Sequence, residues 1–142
     1  MKGRVRDKFV VDASVGLSWV FDDEATPATD ALFRRLSTAT AVVPGWWYTE
    51  LINVLALAER RGRITVAKTE EFRLRLSALA IEVDQHAAER AFGEILPLCR
   101  AHGLTSYDAL YIELALRRGL PLATLDAEMS RVGRRLGLHL LL

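Results

Sequence analysis

Short apolar runs alternate along this chain with longer stretches whose apolar residues recur every three or four positions. Phe9 to Val11 is aromatic and β-branched and reads as a buried strand. Ser14 can then cap a helix carrying Val15, Leu17, Trp19 and Val20. Thr26-Pro27 starts a second helix, with Thr as N-cap and Pro at the first helical position, reaching about Leu36. Thr40 to Val43 is the next strand, stopped by Pro44-Gly45. A helix from about Trp47 to Arg61 places Leu51, Val54, Leu55 and Ala58 on one face, with Gly62 at the C-terminal cap. Thr65 opens another helix, through Leu79, and Ile81 to Val83 is the third strand. Asp84 is expected to cap a helix carrying Ala88, Ala91, Phe92 and Ile95, which Pro97 should break or kink. A helix over Ser106–Arg118, a strand near Leu120 to Ala123, a helix from Ala127 to about Leu136 and a strand over Leu138–Leu141 complete the chain.

Strands this short and this apolar, alternating with helices, imply an α/β fold with a mostly parallel central sheet of four to five strands, covered on both faces. No internal repeat, low-complexity segment or long linker interrupts the pattern, so residues 1–142 read as a single domain. In such sheets the functional crevice lies beyond the carboxyl ends of the strands.

Composition narrows the options. Half of the 142 residues are apolar and the formal net charge is +1, so any nucleic-acid contact must come from local patches. Those patches are arginine-built: Arg60, Arg61 and Arg63; Arg117 and Arg118; Arg131, Arg134 and Arg135. Solvated helix faces give the same pattern, so the clusters permit RNA binding without showing it. Cys99 is the only cysteine, and His86, His102 and His139 are scattered, which excludes an intramolecular disulfide and disfavours zinc. No apolar run is long enough to cross a bilayer, and the apolar residues after the basic MKGRVRDK are too few for a signal-peptide core. The protein is expected to be soluble and cytoplasmic, with no membrane partner.

Four carboxylates draw attention by position. Asp12 follows the first strand and Asp126 the fourth, and Glu50 lies near the start of the helix after strand two. Asp108 is in the first turn of its helix but sits between two helices, so topology alone does not place it. Each has a plain structural explanation. Thr105-Ser106-Tyr107-Asp108 matches a capping box, Asp126 can cap the following helix, Glu50 can favour the positive end of a helix dipole, and Asp12 can bond its own turn. If the four converge, they repel, and a divalent cation relieves the repulsion. An oxygen-only donor set suits Mg²⁺ or Mn²⁺, and the natural chemistry is phosphodiester hydrolysis.

The segments VVDASVGLSWVFDDE, WYTELINVLALA and LTSYDALYIELALRRGLPLATLD, in this order and spacing, resemble a PIN domain, and more narrowly the VapC-type toxins, the ribonucleases of toxin–antitoxin pairs. The resemblance implies a three-layer α/β/α sandwich and a Mg²⁺- or Mn²⁺-dependent endoribonuclease whose catalytic acids are Asp12, Glu50, Asp108 and Asp126. Asp12 and Asp108 would be the direct metal ligands, and Glu50 and Asp126 would complete the cluster. Ser14 and Thr124 match supporting hydroxyl positions, for which a capping or turn role is an equal explanation; Tyr107 also fits the pattern. It further implies an RNA substrate, a homodimer and a cognate VapB-type antitoxin laid across the acidic groove. Trp46 and Trp47 are expected either to line a partner surface or to fill the core. Asp22-Asp23-Glu24 reads as a solvated turn.

Two other readings compete. One keeps the fold as an RNA- or protein-binding module with weak or no nuclease activity. The other is a phosphoacceptor receiver domain with Asp84 as acceptor, which needs a lysine near the end of the last strand; no Lys follows Lys68.

Overall fold

The computed structural model describes residues 6–142; the first five residues of the basic opening stretch lie outside them. Four strands form one sheet: β1 (Lys8–Val11), β2 (Thr40–Pro44), β3 (Ile81–Asp84) and β4 (Leu122–Ala123), in the order β3-β2-β1-β4. Every pairing is parallel, with Phe9 opposite Ala41, Val42 opposite Glu82 and Val11 opposite Ala123. Phe9, Val10, Val11, Val42, Val43, Leu122 and Ala123 are fully buried, as strands covered on both faces must be.

Eight α-helices cover the sheet: α1 (Ala13–Ser18), α2 (Pro27–Arg35), α3 (Trp46–Arg60), α4 (Val66–Ser77), α5 (Ala87–Arg90), α6 (Leu96–His102), α7 (Ser106–Arg118) and α8 (Ala127–Arg135). Parallel crossovers are right-handed. The steps β1 to β2 to β3 run one way along the sheet and put α1–α4 on one face. The step from β3 back past β1 to β4 puts α5–α7 on the other. The result is a three-layer α/β/α sandwich, as the sequence predicts. The order of connection reverses between β1 and β4, and at such a switch point the following helices diverge and leave a crevice at the strand ends.

Two glycines serve this layout. Gly119 ends α7 with φ of 63°, which frees the chain to turn into Leu120-Pro121 and β4. Gly16 lets α1 lie against α3, because a Cβ there would stand 2.9 Å from the Trp47 ring.

Several expected elements differ. Ser14 lies inside α1, and Asp12 is the N-cap, accepting from the Val15 N–H. Asp84 does not cap a helix. It ends β3, and its carboxylate takes a two-pronged contact from Arg117. The helix is interrupted ahead of Pro97, as expected: α5 ends at Arg90, a π-turn runs over Ala91–Ile95, and Pro97 occupies the first turn of α6, where no N–H is needed. The last strand shrinks to one parallel bridge, Leu122 to Leu140. Asp22–Glu24 is a 3₁₀ turn tied by ion pairs, Asp23 and Glu24 to Arg63 and Asp22 to Lys68. No helix among the described residues is long and apolar enough to cross a membrane.

Candidate active site at the strand ends

Asp12 stands where β1 runs out, at the switch point, and is buried. The Ser14 hydroxyl donates to its Oδ1 at 2.6 Å, and the Val15 N–H donates to the same oxygen at 3.1 Å. The Thr124 hydroxyl, one residue past β4, donates to Oδ2. These two hydroxyls also bind the loop leading to α8: Ser14 Oγ accepts from the Leu125 N–H and Thr124 Oγ1 from the Asp126 N–H, both at 3.0 Å. The Trp47 indole N–H donates to the Asp12 carbonyl at 3.0 Å, so α3 holds the same residue from the other side. Asp12 is therefore fixed by four elements at once.

Asp126 is the N-cap of α8, accepting from the Met129 N–H at 2.7 Å. Asp108 lies in the first turn of α7, whose cap Thr105 accepts from the Asp108 N–H. Glu50, on α3, accepts from the buried Tyr111 hydroxyl at 2.7 Å. Glu50 and Asp108 face one open hollow of about 520 Å³, shared with Trp46, Asn53, Thr105 and Tyr107.

The capping readings of Asp12 and Asp126 are thus correct as far as they go, but the four carboxylates are also electrostatically joined. Burial, then repulsion from Asp126, pushes Asp12 and Asp108 above the usual carboxylate range, against the hydrogen bonds that pull them down. Burial also raises Glu50, with Asp12 and Asp108 both adding to it. Each of the four acids repels two of the others, which closes a ring across elements far apart in sequence. No ion pair among the described residues reaches Asp12, Glu50, Asp108 or Asp126.

The site includes residues that sequence reasoning missed. Tyr111 is three positions after Asp108, and Asn53 three after Glu50, so helical spacing could have put each on its acid's face. Trp46 stacks on Tyr107, ring centroids 4.5 Å apart and planes within 16°. Its indole N–H finds no acceptor in hydrogen-bonding geometry, although it stands near enough to Glu50 to favour the charged carboxylate. Trp47 is wholly buried, which assigns it to the core and removes it from any partner surface. Half of the arginines in the three clusters are held in ion pairs: Arg63 with Asp23, Arg117 with Asp84 and Glu113, Arg118 with Glu82, and Arg131 with Glu128.

The PIN domain family matches residues 9–135. The chain belongs to the PIN domain family. Among solved structures, PAE2754 from Pyrobaculum aerophilum shares the fold with a TM-score of 0.66 at 23% identity, covering 93% of this chain and 98% of that one. VapBC2 from Rickettsia felis, solved bound to a DNA fragment from their promoter, gives a TM-score of 0.63 at 14% identity, with 94% and 96% covered. No curated protein matches the chain. PIN domains are generally nucleases that use divalent metals, which fits a nuclease site at the β1–β4 switch point of this PIN fold.

Proposed function

We propose that this PIN domain is a Mg²⁺- or Mn²⁺-dependent endoribonuclease of the VapC toxin type, acting in the cytoplasm on RNA. The observation that carries the reading is that α1, α3, α7 and α8 bring Asp12, Glu50, Asp108 and Asp126 to one strand-end crevice, each repelling two of the others, with no ion pair to any of them among the described residues. Such a ring costs stability unless a positive charge enters it.

The donor set fits a hard cation. All candidate ligands are oxygens, and Mg²⁺ is typically held by one or two carboxylates plus waters and substrate phosphate. Among the described residues no three His, Cys, Asp or Glu side chains form a cage of their own, so an ion here would need water and substrate phosphate to complete its shell. Asp12 and Asp108 would hold it. When bound, the ion lowers the pKa of a water and offsets charge on the phosphate. The protein's own part is orientation. Ser14, Thr124 and the Val15 N–H fix the Asp12 carboxylate, and Tyr111 fixes Glu50 beside the hollow. Glu50, which faces the hollow and whose pKa burial raises, is placed to take a proton from a water there. Asp126 completes the negative field. The likeness to VapBC2 supports a protein antitoxin as inhibitor, and the homodimer follows from the family resemblance alone.

The test is cleavage of an RNA pool by the purified protein with Mg²⁺ or Mn²⁺, with a chelator, and with Asp108→Asn. Discrete fragments should appear only with metal, and Asp108→Asn should cut at least about 100-fold more slowly while keeping its fold. Equal cutting by Asp108→Asn, or none by the wild type with either ion, would overturn the reading.

A further inference from the structure

The acidic hollow has a wall that the catalytic reading leaves unused. Trp46 opens α3 and Tyr107 lies in the first turn of α7, so each sits within four residues of an acid it adjoins, Glu50 or Asp108. Their rings lie nearly parallel, and Tyr107 is 50% exposed. The pair separates the acidic hollow from a second, almost wholly apolar one of about 400 Å³, lined by Phe92, Cys99 and Leu110 among others. Among the described residues no Lys or Arg lines the acidic hollow. A nucleic acid entering it finds no cation among these residues to grip its phosphates, and a dication held by Asp12 and Asp108 would serve the phosphate at the reaction centre.

Resting on the nuclease reading, we infer that the Trp46–Tyr107 stack is a nucleobase platform: the base of a nucleotide next to the scissile phosphate stacks on the Tyr107 ring. Three observations on the page converge on it. Tyr107 stands half exposed beside the carboxylates, and with Trp46 stacked on one face of its ring the opposite face is the one left for a base. Trp46 behind it fixes the tilt of the ring, so stacking needs no reordering of a loose side chain. The hollow, at about 520 Å³, has room for a nucleotide. Stacking of this kind accepts any base and supplies affinity where ion pairs are missing. Tyr107 and Trp46 are positioning residues here; neither touches the bond that breaks.

The experiment uses binding as well as turnover. A labelled oligoribonucleotide is titrated by anisotropy into the full chain, its Tyr107→Leu variant and its Tyr107→Phe variant, with Ca²⁺ in place of Mg²⁺ and a gel to verify that the strand stays whole. Tyr107→Leu should raise Kd about tenfold or more, and Tyr107→Phe, which keeps the ring, should restore it. On cleavable RNA the same change should fall on KM, with kcat altered less than about threefold. A scan replacing one nucleotide at a time by an abasic residue should find one position whose loss weakens wild-type binding and adds nothing further in Tyr107→Leu. A structural role for the tyrosine cannot produce that dependence on one base. Equal Kd for wild type and Tyr107→Leu, no abasic position coupled to the ring, or no oligonucleotide binding by the wild type overturns the platform. So does a Tyr107→Leu protein that changes its sedimentation and keeps its Kd, since the ring then meets another protein chain. Binding with a coupled position but no cleavage would instead leave the platform standing and sink the nuclease reading.

Discussion

Carboxylates are handled in opposite ways at two places in this fold. At the end of β3, the Arg117 guanidinium reaches both oxygens of Asp84, at 3.0 and 2.8 Å, and its Nε meets Glu113 at 2.8 Å. Arg90 approaches Glu113 from the π-turn side at 3.6 Å. Burial alone would raise Asp84, but Arg117 and the His86 N–H outweigh it and hold the carboxyl below its usual range. At the ends of β1 and β4 the acids repel one another too, yet among the described residues hydroxyls and backbone N–H groups, rather than ion pairs, are what they meet. Arginine is plentiful in the chain, so the difference is one of placement. Charge that serves the fold is neutralised within the fold. Charge left without a partner, at the crevice of an α/β sheet, is kept for something that arrives later.

The largest effect should come from turning one case into the other. Arg117→Met would leave Asp84 and Glu113 buried without their partner, and removing one member of a buried pair costs about 3 kcal/mol or more. Asp108→Asn should move the opposite way, stabilising the metal-free protein by roughly 1 kcal/mol, because a repelling charge disappears. Urea unfolding in chelator measures both. If the two variants shifted the midpoint in the same direction, the contrast between the regions would be mistaken.

Proton and metal titrations sharpen the same contrast. Asp12, Glu50 and Asp108 have folded pKa values above their unfolded ones. The metal-free protein should therefore gain stability as pH falls through those raised values toward the ordinary carboxylate range near about pH 4. Asp84 and Glu82 are shifted down, so their contribution is complete above that range and is lost as pH falls through their lowered values. The metal-free melting temperature should thus peak on the acid side of neutrality. Mg²⁺ needs the ionised acids, so the stabilisation it adds should grow as pH rises through the raised values. A melting temperature in chelator that falls steadily from pH 7 downward would contradict the raised acids.

What could be read from the sequence follows the range of the interactions. β1 was legible because Phe9-Val10-Val11 carries its own burial signal, and the end of α7 because Gly119-Leu120-Pro121 allows little else. Asp12 and Asp126 were placed by a topological rule that needs only the order of elements. Asp84 was misassigned as a cap because its true partner is 33 residues away, and a carboxylate after a strand looks the same either way. Tyr111 escaped notice for the same reason: its hydroxyl is explained by Glu50, 61 positions back. The Leu138–Leu141 segment has a strand's composition but meets the sheet edge through one bridge, since β4 is two residues long. The site's acids came from element order and from the family pattern, and the family pattern also marked the supporting hydroxyls of Ser14 and Thr124; the supports from Tyr111 and Trp47 came only from packing.

The smallest predicted effect concerns one of those supports. Thr124→Val keeps the shape of the side chain and removes a hydroxyl that donates to Asp12 and accepts from the Asp126 N–H. Two partners lose a bond at once, but the Val15 N–H and Ser14 still hold Asp12 by its other oxygen. The cost in stability should be about 1 kcal/mol. Asp12, with one fewer donor, should rise further, so protons compete better with metal at neutral pH and Mn²⁺ affinity should drop about tenfold. Ser14→Ala acts on Oδ1 of the same carboxylate and should weaken Mn²⁺ binding by a similar factor, the two together by more than either. A Thr124→Val protein that melts at a lower temperature yet binds Mn²⁺ as tightly as wild type would make the threonine a brace for the β4–α8 loop alone, and would take Asp12 Oδ2 out of the metal's reach.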